Sequence, residues 1–332
     1  MDTKRHRLDD VTALFGFGML LVVFGHSFPD FESAAPGAPV AYLLHHLIYA
    51  FHMPLFFFIS GFLYFFTSRQ REEAYAPFLW KKVKRLLVPY AIISSLAFPI
   101  KAAASRHALH PVALTWSSYL ETLIFPWKNT IIFFWFLPTL FLIFCAAPFL
   151  RRAIRFRAPA LRYGLGAALL ALNLTFYFRS EALWNWPGAL HHLVYFYAGM
   201  LWCHRHPERI RLHAKSWQIA AGAAVFALCF YYGVNETSWA RLLLAFIGVA
   251  FSLWLVRPGA WTPSLLLIGA YSFDIYLLSW FPQIACKILF YPRLGFWVTL
   301  VAMFLGGLAV PLLLARLVEK RGTKFGFVFG KA

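Results

Sequence analysis

Charge is scarce in this chain. Only 13% of its 332 residues are Asp, Glu, Lys or Arg, against about a quarter in a soluble domain, so a water-soluble globule is excluded. Cysteine is scarcer still. Cys145, Cys203, Cys229 and Cys286 all lie in or beside apolar runs without a CxxC pair, which excludes a disulfide framework or a thiolate metal site. Apolar and polar residues do not alternate over about ten residues, as barrel strands would. There is no internal repeat. The basic opening MDTKRHRLDD is followed by a run with no small-residue cleavage site, so it reads as the lead-in to an uncleaved first helix.

What the chain has is apolar length. It is 61% hydrophobic and 20% aromatic, with a mean hydropathy of +0.64. A membrane-spanning helix needs about 20 predominantly apolar residues, and such runs recur throughout. The expected fold is all-α: a single polytopic membrane domain over residues 1–332. The expected transmembrane helices number about ten, near 11–28, 42–66, 86–104, 131–150, 161–178, 189–203, 217–233, 239–256, 264–290 and 295–318. Turn-rich or charged stretches such as PDFESAAPGAP, SRQREEAYAP and RPGAWTP separate them. The net charge of +18 sits in short loops. If both termini are cytoplasmic, 24 of the 31 Lys and Arg fall on the inner side, as the positive-inside rule requires. The basic balance is therefore topological and argues against a nucleic-acid partner. Some of these cations are free to meet lipid headgroups or an anionic substrate.

Polar residues inside such runs define the candidate site. LLVVFGHSF ends in His26, whose imidazole can accept or release a proton near neutral pH. An interfacial histidine touching headgroups is the plainer alternative. FHMPLFFFISGFLY holds His52, seven residues after His45 and so on its helix face, with Tyr49 close to that face. Three polar rings on one face suit a lined cavity or a cap in the aromatic belt. Ser60-Gly61 in the same stretch suits close helix packing. KKVKRLLVPY places Lys84, Arg85 and Tyr90 at a cationic helix end. That end serves as a topology signal or as a holder of a phosphate-bearing donor. GAYSFDIYLLSW carries Asp274, the only acidic residue within an expected span, flanked by Ser272 and Tyr276. An intramembrane carboxylate pairs with a cation or meets water, although near a helix start it is also favoured by the dipole. FFWFLPTLF contributes Trp135, and His191, His192 and Tyr195 open the sixth span. No carboxylate or thiolate at helical spacing accompanies the paired histidines, so no metal site is expected.

In their order and spacing, GFGMLLVVFGHS, FHMPLFFFISGFLY, KKVKRLLVPY, WFLPTLF and GAYSFDIYLL resemble the integral-membrane acyltransferase-3 family, in particular its fucose 4-O-acetylase-like branch. The resemblance covers most of the chain. It implies a ten-helix core and transfer of an acyl group, commonly from acyl-CoA, to a sugar hydroxyl, with no permanently bound cofactor. It implies His26 as the catalytic residue and Arg85 as a donor-binding position. It also marks departures. The family's basic residue eleven positions before the histidine is Phe15 here, the acid three earlier is Thr12, and the histidine after the YLL run is Ser279. Asp10 lies 16 residues before His26, about 24 Å along a helix, too far to substitute.

The expected activity is O-acylation, acetyl or succinyl, of a cell-envelope or exported polysaccharide. Acyl-CoA, the glycan and membrane lipids are the expected partners, and a bacterial inner membrane is the expected location. His26 is expected as general base. His52, Lys84, Arg85, Trp135, Ser272, Asp274 and Tyr276 are expected to bind substrate or donor. Two rivals stand beside this reading. A transporter or flippase for a glycan or its lipid-linked precursor would use the same outer histidines and inner cations. An inactive relative acting as a scaffold would explain Phe15, Thr12 and Ser279.

Overall fold

A computed structural model describes residues 2–29, 38–69, 73–103, 114–156, 158–207, 209–256 and 262–320. No strand occurs among the described residues. The helices are α1 (Asp2–Gly25), α2 (Ala38–Tyr49), α3 (His52–Ser68), α4 (Tyr75–Lys82), α5 (Val88–Ala103), α6 (Trp116–Ile124) and α7 (Phe136–Arg155). They continue with α8 (Pro159–Thr175), α9 (Trp186–Arg205), α10 (Ser216–Tyr231), α11 (Ser238–Leu255), α12 (Thr262–Ala270), α13 (Ser272–Leu278) and α14 (Trp280–Lys320). Among the described residues five helical stretches are long and apolar enough to cross a membrane: Leu43–Ser68, Tyr75–Ala103, Ile132–Arg155, Ser238–Leu255 and Trp280–Glu319. Of the loop cations used for orientation, Arg71, Arg106, Arg157, Arg257 and those after residue 320 lie outside the described residues.

The helix boundaries depart from expectation where proline acts. The span expected at 42–66 is two helices with a break at Ala50 and Phe51. Pro54 has no N–H to give the carbonyl of residue 50, and its ring crowds that carbonyl. The span expected at 86–104 begins at Tyr75 instead, so the cationic residues are helical rather than a flanking loop. Residues Val83–Leu87 form one π turn. Pro89 likewise cannot bond the carbonyl of Arg85, and the Val88 N–H reaches back five residues to Val83. Helix α6 was not expected. Its cap is Thr115, whose hydroxyl accepts the Ser118 N–H at 3.2 Å. The last two expected spans are joined through Gly295, at φ +71°, a conformation glycine adopts without penalty.

The helices gather into two compact units, one of residues 1–70 and 195–312, the other of residues 71–194 and 313–332. In the first, α12 and α1 cross at backbone distance. A Cβ on Gly16 would stand 2.1 Å from the Leu265 carbonyl oxygen, and one on Gly269 would stand 1.8 Å from that of Thr12. Further along, the Gln283 side chain of α14 reaches Val23 and Ser27. The two chain segments therefore climb together in one direction. Gly61 and Gly199 make a second such crossing, each with the other helix's carbonyl within 2.0 Å of where a Cβ would be. Close approach through small residues is how apolar helices associate where lipid offers no hydrophobic driving force. Along α14, Leu294, Val298, Val301 and Leu305 share one exposed face. An exposed apolar stripe of this kind suits lipid and not water.

In the second unit, the Tyr90 hydroxyl donates to the carbonyls of Thr122 (3.0 Å) and Leu123 (3.1 Å), holding the end of α6. Asn129 joins the same corner through Ser94 Oγ at 2.8 Å and the Thr122 carbonyl at 2.9 Å. Tyr90 is thus occupied structurally.

Candidate active site

His26 is the first residue past the last turn of α1. A helix C-terminus leaves its final carbonyls without intrahelical partners, and here those of Val22, Val23 and Phe24 find them. The Val22 carbonyl accepts the His26 N–H at 3.0 Å, and that of Phe24 accepts the Ser27 N–H at 3.0 Å. The Val23 carbonyl accepts the Ser27 hydroxyl at 2.6 Å and Gln283 Nε2 at 3.0 Å. Gln283 Nε2 also lies 3.1 Å from Ser27 Oγ. Ser27 and Gln283 are both buried. They lock the backbone on either side of His26, so the imidazole projects from a fixed point.

Tyr49, the last residue of α2, meets that imidazole. Its hydroxyl lies 3.1 Å from His26 Nδ1 and 3.4 Å from Nε2. The contact depends on Gly25, because a Cβ there would fall 2.9 Å from the tyrosine ring. The glycine ahead of the histidine is therefore where the phenol ring passes the helix end. Tyr49 also stacks on His45, with centroids 3.8 Å apart, and meets the edge of His52 at 4.7 Å. His52 is buried, and its Nδ1–H donates to the Ile48 carbonyl at 2.9 Å. This fixes the tautomer and makes Nε2 an acceptor. Three imidazoles thus surround one phenol, and Tyr49 keeps 38% of its surface exposed. Such a cluster can hold a hydroxyl-bearing molecule and move its proton.

The expected site residues do not all gather there. Asp274 and Tyr276 are buried on α13, which packs along α1 between the Gly16–Gly269 crossing and the Gln283 contact. Ser272 is half-buried at the start of that helix. These three share the first unit with His26 and His52. Lys84 and Arg85 lie in the second unit, exposed on the π turn. Lys84 Nζ sits 5.7 Å over the Trp80 ring. Trp135 is buried in the second unit. It stacks on Trp127 with centroids 5.0 Å apart and neighbours the His192 ring at 5.3 Å. His191 and His192 are anchored to backbone. His191 Nδ1–H donates to the carbonyl of Phe176 at 2.7 Å, and His192 Nδ1–H to that of Gly188 at 2.7 Å. Among the described residues no three His, Cys, Asp or Glu side chains converge as a metal set.

Phe15 packs its ring 6.0 Å from that of Phe56, an apolar contact at the position where the resemblance implies a basic residue. Asp10 forms an ion pair with Arg211 of the same unit, away from the end of α1. Gln283 and Ser27, which position His26, were not anticipated. The one available signal was an amide amid the apolar SWFPQIACKILF.

These features describe a membrane protein that is helical throughout its described residues, with a candidate histidine–tyrosine site at a helix end. The family model described as "Acyltransferase domain" matches residues 11–316. The chain accordingly belongs to the acyltransferase-3 family and is an acyltransferase. No curated protein and no solved structure matches it.

Proposed function

We propose that this protein moves an acyl group, acetyl or succinyl, from cytosolic acyl-CoA to a sugar hydroxyl of a cell-envelope or exported polysaccharide, in the cell membrane of a bacterium. It would stand nearest the fucose 4-O-acetylase-like branch of the family. The observation that carries the mechanism is the fixed His26 ring with the Tyr49 hydroxyl 3.1 Å away.

One ring nitrogen of His26 carries its proton toward the Tyr49 oxygen, which leaves the other as a lone pair for the acceptor hydroxyl. His26 removes that proton as the sugar oxygen attacks the thioester carbonyl. The tetrahedral intermediate then collapses and breaks the C–S bond. The departing thiolate takes the proton back from the imidazolium, so the histidine ends as it began. His52, Ser272, Asp274 and Tyr276 are the proposed acceptor-side residues of the first unit. Their uncharged donors would steady the oxyanion. Lys84 and Arg85 are the proposed holders of the donor's phosphates, for which two exposed cations are suited. Trp135 is a donor- or acceptor-binding candidate only through the surface its cluster presents.

The ten-span topology with both termini cytoplasmic belongs to this proposal. The shared direction of α1 and the α12–α14 segment supports it, since the first and ninth of ten spans must run the same way.

The test is glycan mass from cells with wild-type protein, no protein, and His26→Ala at matched expression. Loss of the same acyl mass in the variant and the deletion, with export intact, supports the mechanism. An acyl group that persists in His26→Ala overturns it. Loss of export itself would favour the transport reading.

A further inference from the structure

The first unit contains a second polar site, apart from the His26 cluster. The segment between α9 and α10 and the end of α11 enclose a cavity of about 610 Å³. Its polar wall is the cations Arg211 and Lys215 with the His213 ring and Gln218 beside them, and its apolar wall includes Leu253 and Trp254. Among the described residues no acidic side chain lines it.

The walls are held in place. The Leu212 N–H donates to the Leu253 carbonyl at 3.2 Å, tying the cationic segment to α11. Gln218 Oε1 accepts the Lys215 N–H at 2.9 Å and closes the first turn of α10. The positive end of that helix dipole therefore adds to the cations. Arg211 is fixed by its ion pair with Asp10 through one terminal nitrogen. Its Nε is buried with no acceptor. A buried guanidinium N–H without a partner costs free energy that an anion in the cavity would recover.

We infer that this cavity binds a phosphate ester joined to an apolar or planar group, the phosphate on Arg211, His213 and Lys215 and the remainder against Leu253 and Trp254. Two molecules present that chemistry: an anionic phospholipid at the membrane surface, and the nucleotide end of a soluble acyl donor. The inference does not rest on the role given to His26.

The experiment is native mass spectrometry of the full chain in detergent, with dioleoylphosphatidylglycerol, dioleoylphosphatidylcholine or adenosine 3′,5′-bisphosphate added. Wild-type protein is expected to retain one phosphatidylglycerol or one bisphosphate per chain, and phosphatidylcholine at least tenfold less. Retention should fall at least fivefold in His213→Ala/Lys215→Ala, which leaves the Arg211–Asp10 pair intact. It should be unchanged in Arg152→Ala/Arg155→Ala, which removes two cations from the end of α7. Retention of phosphatidylglycerol alone identifies the lipid as the source. Its displacement by the bisphosphate identifies the nucleotide. Retention of neither anion, or equal loss in both double variants, overturns the site.

Discussion

Each unit of the molecule has histidines packed against aromatic rings, three around Tyr49 in the first and two beside Trp135 and Phe178 in the second, and the two groups are built differently. In the second unit, His191 and His192 both spend Nδ1 on backbone carbonyls, and the surrounding rings are the indoles of Trp127 and Trp135 and the Phe178 ring. In the first unit, His52 is tied in this way, but His26 meets the hydroxyl of Tyr49. A histidine bonded to a peptide carbonyl has a fixed tautomer and shapes the fold. The His26 ring instead has the Tyr49 hydroxyl within 3.4 Å of both of its nitrogens. The bonding partner, peptide carbonyl or side-chain hydroxyl, is the difference on which the proposed role of His26 rests.

The sharpest way to break this comparison is His26→Ala, expected to lower transfer about 10²–10⁴-fold with unchanged protein yield, read as acylated glycan per milligram of purified protein. If His191→Ala costs as much per folded molecule, the distinction fails. Tyr49→Phe comes next. It keeps the stacking on His45 and removes only the hydroxyl, so kcat should drop about tenfold, the worth of one hydrogen bond to a reacting group, while acceptor KM holds. Steady-state kinetics with varied acceptor separates the two.

His191→Ala itself should act on stability. Losing its bonds to the α8 end leaves two carbonyls unpaired, at about 1–3 kcal/mol. Thermal unfolding in detergent should shift downward, with specific activity of the folded fraction unaltered. Lys84→Ala/Arg85→Ala is the mildest. These cations are exposed, so donor KM should rise only about two- to fivefold and kcat should stay put. A pure kcat loss would remove them from donor binding.

Much of this was legible from residue order. Runs of apolar residues place helix at each expected span, because a chain without water must satisfy its backbone internally. Pro54 and Pro89 announce local breaks in a helical ladder, yet whether a proline splits a helix or produces a π turn depends on its packing. His45, Tyr49 and His52 could be put on one helix face from spacing, and His26 only on the same side of the membrane, from the expected orientation. What spacing could not show was that Gly25 leaves room for the Tyr49 ring, or that Gln283, more than 250 residues away, caps the helix carrying His26. Both are long-range contacts with no local pattern. The partner of Asp10 was equally invisible, since Arg211 looked like one more positive loop residue. Trp135 shows the reverse case: its motif resembled a site, and its ring is buried in an aromatic stack.

The paired attachments of α1 to the α12–α14 segment act as a length gauge. The Gly269 and Gln283 fasteners are fourteen residues apart, or about 21 Å of helix. Asp274 is carried between them and His26 stands at the upper one. Substituting a side chain in this interval alters chemistry, but inserting a single residue alters registration. One extra residue rotates everything beyond it by about 100°, so either the glycine crossing or the Gln283 cap must let go. An alanine inserted after Leu278 should therefore abolish transfer even though every residue proposed to act is still present. The same insertion after Val234, outside the gauge, should be tolerated.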